Sequence, residues 1–313
     1  MEKQGKLVEQ SAEYFDWKPV EELELMISID EYGKSSLKCR KGGKLLKAIP
    51  SKYKKNDAVK KYQEINKQLK EQYVRTKQMM EQAMEDQTSF EVWEFLELRK
   101  NPVVRPIVEF LVVKRIGRTA ADTAPIGFLT DEGLVDDFGN VLPVKPDDKI
   151  LIAHPFDLYA SGRWHEYQKL LFEKKIRQPF KQVFRELYLK LEEELDKDDS
   201  RLFSGNQIQP QKTVGALKSR RWVADYEDGL QKIYYKENIV ACIYAMADWF
   251  SPSDIEAPTL EWVVFSDRKT GEARKIKEIP DVIYSEVMRD VDLAVSVAHA
   301  GGVDPETSHS TIE

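Results

Sequence analysis

Glu286, Arg289 and Asp290 are separated by three, one and four positions. On a helix that spacing puts them on one face, with Cβ atoms roughly 5–6 Å apart. Two carboxylates beside a guanidinium have chemistry open to them. Like charges push carboxyl pKa values apart for acid–base work, a carboxylate pair ligates Mg²⁺, and arginine grips phosphate with two parallel hydrogen bonds. An ordinary ion-pair network has the same composition. Asp290-Val291-Asp292 adds a D-x-D spacing, but alternate helical residues diverge by about 200°, so joint metal binding there requires a strand.

A second set of candidates lies in RQPFKQVFRELY, residues 177–188. Here Gln178, Lys181, Gln182, Arg185 and Glu186 are expected to form a polar face around buried Phe180, Phe184 and Leu187, able to hydrogen-bond an anion or a partner. His154 precedes Pro155 at the exit of an expected strand, a position suited to a general base. No Ser or Cys nucleophile motif accompanies it, and His165, His299 and His309 make no H-E-x-x-H. Walker A, G-x-G-x-x-G and G-x-S-x-G patterns are missing from the sequence. Cys39 and Cys242 are the only cysteines, too few for a disulfide framework and wrongly spaced for zinc. No metal site is expected, and no cofactor is specified.

The elements that must hold these residues follow from periodicity. Residues 22–46 carry two β-prone segments around Tyr32-Gly33, which predicts a hairpin. Val59, Tyr62, Ile65, Leu69, Tyr73, Met80 and Ala83 recur at three- to four-residue steps, which predicts one long amphipathic helix over 56–84. Ser89 is placed to cap a helix running to Arg99. Residues 107–116, 126–129 and 149–153 read as strands of a small sheet, and 161–195 as a helical pair jointed at Gln178-Pro179. A charged tract, 192–201, suggests a boundary after residue 202. Beyond it a helix starts near 215, strands are expected at 230–235, 239–246 and 260–265, and the 280–302 segment reads either as one long helix or as a helix to Arg289 followed by a strand. The fold class is therefore α+β, with small antiparallel or mixed sheets, in two portions, 1–202 and 203–313.

Composition limits the classes open to this arrangement. The 313 residues are 42% hydrophobic and 33% charged, which fits a folded globular protein rather than a disordered chain. No run reaches the roughly 20 apolar residues of a spanning helix, and no signal peptide opens the chain, so a cytoplasmic protein without membrane contact is expected. Net charge is only -6, yet residues 34–77 hold fifteen Lys/Arg against Asp57, Glu64 and Glu71. That local excess predicts weak polyanion binding, moderated by the acidic remainder of the protein.

Several stretches carry a family resemblance: GKLLKAIP (43–50), the Gln72-Tyr73-x-Arg75 helix, ILIAHPFDL (150–158), IRQPFKQVFREL (176–187) and YSEVMRDVDLAVSVAHAGGVDP (284–305). Together, over residues 37–305, the chain resembles the domain of unknown function 4132 family, with SEVMRDVDL (285–293) its most specific string. That family includes large bacterial proteins labelled molybdate metabolism regulator-like. The resemblance implies a module of a multidomain protein, partnered by other domains of the same polypeptide and above all by a further C-terminal region. It brings no catalytic residues. The leading functional expectation is a scaffolding or ligand-sensing regulatory module. The alternatives are an enzyme acting on a nucleotide or phosphate compound through Glu286, Arg289 and Asp290, and a nucleic-acid-associated protein using residues 34–77.

Overall fold

The computed structural model describes residues 12–117, 124–225, 229–246 and 259–297. It separates into two compact units, Met1–Arg185 and Glu186–Glu313. Among the described residues there are seven α-helices and three antiparallel sheets, an α+β protein as expected. No helix among them is long and apolar enough to cross a membrane.

The first unit begins with a four-stranded meander, β1 (Lys18–Val20), β2 (Leu23–Ile29), β3 (Ser35–Lys41) and β4 (Lys44–Leu46). Alternation in β2 buries Leu23, Leu25 and Ile27 on one face, and its register with β3 sets Ile27 opposite Leu37 and Leu25 opposite Cys39. This is the expected hairpin. The long helix follows as α1 (Asp57–Glu85), capped by Asn56, whose side chain accepts from the Ala58 and Val59 amides at 2.9 and 3.3 Å. Its apolar stripe serves two cores: Val59, Tyr62 and Leu69 close over the meander, while Met80, Ala83 and Met84 enter a second cluster.

That second cluster packs around a six-stranded sheet of β5 (Ser89–Glu91), β6 (Val112–Arg115), β7 (Ile126–Leu129), β8 (Leu134–Val135), β9 (Val141–Leu142) and β10 (Lys149–Ile152), in the order β5-β10-β6-β7-β8-β9. Helices α2 (Val92–Arg99), α3 (Arg105–Glu109), α4 (Pro155–Ala160) and α5 (Trp164–Glu173) complete the unit. Ser89 is a strand residue rather than a cap, because Ser89–Glu91 pairs with β10; the helix starts three residues later on a Glu91/Glu94 capping box. The strand expected over 107–116 is divided between the end of α3 and β6.

The larger correction concerns the expected helical pair. Only its first member forms, as α5, and residues 177–191 contain no helix. The anticipated inside and outside are partly exchanged: Phe184 is exposed, while Gln182 and Arg185 are fully buried. Their side chains hydrogen-bond to β6 and α1, as described below, and this distant bonding outweighs the local helical pattern.

In the second unit, β11 (Asp199–Ser200), β12 (Val223–Asp225), β13 (Gly229–Tyr234), β14 (Ile239–Met246) and β15 (Thr259–Asp267) form a sheet in the order β11-β15-β14-β13-β12. The charged 192–201 tract belongs to this unit: β11 pairs with β15, and the Ser200 hydroxyl donates to Glu194 at 2.8 Å. The division between units accordingly falls after Arg185, upstream of the boundary read at residue 202. Helices α6 (Pro210–Lys218) and α7 (Asp281–Ser296) complete the unit. Helix α7 resolves the two readings of the last segment in favour of a helix, since Ile283, Tyr284, Val287, Met288, Val291 and Ala294 share one core with Leu230, Ala241, Ile243, Val263 and Phe265. His299, His309, Gly301 and Gly302 lie outside the described residues.

Candidate functional site

Helix α7 carries the trio Glu286, Arg289 and Asp290, and its packing divides them. Glu286 and Asp290 are both fully buried. The two oxygens of Asp290 accept three hydrogen bonds, each 2.8 Å long: from Nη1 of Arg220, the indole Nε1 of Trp222 and Nζ of Lys232. Lys232 is itself buried on β13, so the pair ties α7 to the sheet from within. Arg289 points elsewhere. Its Nε donates to Glu186 at 3.0 Å, and its Nη1 stands 3.9 Å from Glu286, an ion-pair distance too long for a hydrogen bond. Beside it the Tyr188 amide donates to the Ser285 hydroxyl at 3.1 Å, and burial, with Asp292 nearby, raises the Tyr188 phenol above its ordinary range.

The candidates of the first unit are also engaged with their own fold. The Gln182 carboxamide acts as a strand extension: its oxygen accepts from the Val112 amide at 3.0 Å, and its nitrogen donates to the Val112 and Ala153 carbonyls at 2.7 and 2.8 Å. Buried backbone groups need such partners. Arg185 donates to Glu81 and Glu85 of α1 at 2.7 and 2.6 Å. His154 is the N-cap of α4, its Nδ1 accepting from the Phe156 amide at 3.1 Å, while its own amide donates to Asp157, the partner of Lys114. An Nδ1 used in this way does not serve as a general base.

Gln178 differs because it lies at an opening. Its nitrogen donates to the Phe110 carbonyl and to Gln182, and its oxygen accepts from the Val183 amide, so it forms a fixed wall. Around it Tyr32, Lys34, Tyr73, Lys77, Pro106, Arg177 and Pro179 line a cleft of about 510 Å³, counting the space open to solvent. The β2–β3 turn supplies the first two residues. Asp30 braces that turn by accepting from the Tyr32 and Lys34 amides at 3.0 and 2.8 Å. Between them Gly33 has φ +80°, and a Cβ there would lie 2.5 Å from the Val103 carbonyl, so only glycine lets the turn sit this close to the Val103 backbone.

Lys34, Lys77 and Arg177 form no salt bridge with an acidic side chain among the described residues. Arg177 instead lies 5.8 Å from the Tyr32 ring centroid. Burial raises the Tyr73 phenol, Asp30 adding to this and Arg177 opposing it, so Tyr73 keeps its proton at neutral pH. Elsewhere in the basic segment some of the charges are paired, Lys41 and Lys52 with Glu22, Arg40 with Glu24, Lys60 with Asp57 and Arg75 with Glu71, while Lys38, Lys44, Lys47, Lys67 and Lys70 form no such pair among the described residues. No cluster of acidic, histidine or cysteine side chains able to hold a metal ion occurs among the described residues.

A family profile described as a domain of unknown function, DUF4132, matches residues 43–222, more than half of the chain. The chain belongs to the DUF4132 family. No curated protein and no solved structure matches it. The DUF4132 match encloses Tyr73, Lys77, Pro106, Arg177, Gln178 and Pro179 of the cleft, whereas Tyr32 and Lys34 precede it and the α7 trio follows it.

Of the cleft, sequence reasoning singled out Gln178 as a site residue and marked residues 34–77 by charge alone. It did not join Tyr32, Tyr73 and Arg177 to them. An aromatic turn residue beside a lysine, Tyr32-Gly33-Lys34, was the available local signal. Lys232, Arg220 and Trp222 carried no mark connecting them to Asp290.

Proposed function

We propose that this DUF4132 chain is a ligand-sensing regulatory module that takes up an anionic ligand in the cleft of its first unit, as part of a cytoplasmic, multidomain bacterial protein. One observation carries the reading: Lys34, Lys77 and Arg177 meet around a cleft with two tyrosines and no acidic residue in its lining. Unpaired cations in a concave site attract anions, and the arginine fork suits oxyanions in particular. A catalytic reading through Asp290 is less favoured, since both of its oxygens are enclosed by donors. Molybdate, the oxyanion suggested by the regulator resemblance, is compact and dianionic and belongs among the probes.

Equilibrium titration of the full chain with inorganic phosphate, pyrophosphate and molybdate tests this. Saturable binding of at least pyrophosphate is expected, weakening as salt rises, abolished by Lys77→Glu and unaccompanied by hydrolysis. Absence of saturable binding to all three, or binding indifferent to Lys77→Glu, would overturn it.

A further inference from the structure

The lining of the cleft also narrows the chemical class of its ligand, an inference that rests on the anion-site reading above. Three cations exceed what a single carboxylate balances. A phosphate monoester carries about -1.5 to -2 charges at neutral pH and a diphosphate more, and three oxygens around each phosphorus suit one arginine fork and two lysine point charges. Phosphate charge accounts for Lys34, Lys77 and Arg177 but leaves the rest of the lining unused.

That remainder is two tyrosine rings, two prolines and Gln178. Tyr32 keeps 38% of its surface exposed at the turn tip, Tyr73 is half-buried, and Pro106 and Pro179 complete the wall. The polar atoms of Gln178 already bond to the protein, so Gln178 is a fixed part of the wall beside Arg177 rather than a ligand for the phosphates. An exposed aromatic ring beside a phosphate-binding cation is the pairing that receives a planar ring attached to a phosphate.

We infer that the cleft binds a phosphorylated ligand bearing a planar heterocycle, the class of a mononucleotide, with its phosphates on Lys34, Lys77 and Arg177 and its ring against Tyr32. Calorimetric titration of the full chain with inorganic pyrophosphate, adenosine diphosphate and a single-stranded oligonucleotide separates the outcomes. Adenosine diphosphate is expected to bind about tenfold more tightly than pyrophosphate, the scale of one base–aromatic stack. Tyr32→Ala removes that advantage and leaves pyrophosphate binding unchanged, while Tyr32→Phe preserves both. Equal affinity for the two diphosphates, or a Tyr32→Ala chain that keeps the advantage, overturns the mononucleotide inference and leaves the anion site standing. Tighter binding of the oligonucleotide than of adenosine diphosphate also overturns it, in favour of a polynucleotide surface. Failure of both diphosphates to bind, or binding unaffected by Arg177→Ala, overturns the anion site itself.

Discussion

The protein holds two concentrations of charged and polar side chains, and it treats them in opposite ways. Around Asp290 every oxygen has a donor, Lys232 is sealed from solvent, and the neighbouring helix and sheet are joined through the contact. Around Gln178 the cations Lys34, Lys77 and Arg177 stand at an opening without acidic partners among the described residues. Residue type alone favoured the first group as a site, because it contains both acids and a base. Burial and pairing reverse that preference. A saturated interior charge organises a fold, whereas an unpaired charge in a concavity is available to a ligand.

The difference is measurable by substitution. The largest expected effect is Asp290→Ala, which takes the buried carboxylate from Lys232, Trp222 and Arg220 at once and should cost about 3–5 kcal/mol in urea denaturation. Replacing the pair together, Asp290→Leu with Lys232→Met, should recover only part of that loss: the apolar pair removes the buried charges, but the buried Trp222 indole and Arg220 still lose their acceptor. A loss below about 1 kcal/mol for Asp290→Ala would break the comparison at its structural end. Next comes Gln182→Leu, which removes the partner of the Val112 amide and of two carbonyls and should cost about 1–3 kcal/mol by the same assay.

The cleft should respond in the reverse sense. Lys77→Ala and Arg177→Ala are expected to melt within about 0.5 kcal/mol of the parent, because cations at the protein surface without an ion-pair partner add little to stability. Their anion affinity should nevertheless fall about tenfold, the scale of one charge-assisted contact. A large stability loss with intact binding would make these residues architectural.

The smallest expected effect concerns the paired part of the basic segment. Glu22 is held down to about 2 by hydrogen bonds from Lys41 first, then Tyr53 and Lys52. A carboxyl lowered in the folded state adds stability that is complete above its unfolded value of 4.5 and lost as pH falls through about 2. Site-resolved NMR titration should find the depressed midpoint, and Lys41→Ala should raise it. An ordinary midpoint in the parent protein would remove the pairing that sets this part of the segment apart from the cleft.

What could be read before the fold was known follows the range of the interactions. Helix α1 was legible because its 3.6-residue stripe and its Asn56 cap are local features. The β14 and β15 strands were legible from continuous β-branched and aromatic runs. Residues 177–191 misled because Val183, Phe184, Leu187 and Leu191 mimic a helical face, while Gln182 bonds to Val112, 70 residues away. Ser89 misled for the same reason, its strand partner lying across the sheet in β10. In the cleft, the charge excess was visible and the convergence was not: Tyr32, Tyr73 and Arg177 come from three separate segments. The partners of Asp290 were hidden likewise, 58 to 70 residues away along the chain.

The most direct test sets one arginine from each region against the other in the same titration. Inorganic pyrophosphate is titrated into the parent chain, Arg177→Ala and Arg289→Ala, at fixed salt. Binding to the parent, about tenfold weaker in Arg177→Ala and unchanged in Arg289→Ala, is the result this account predicts. No binding to the parent, or a loss confined to Arg289→Ala, would contradict it.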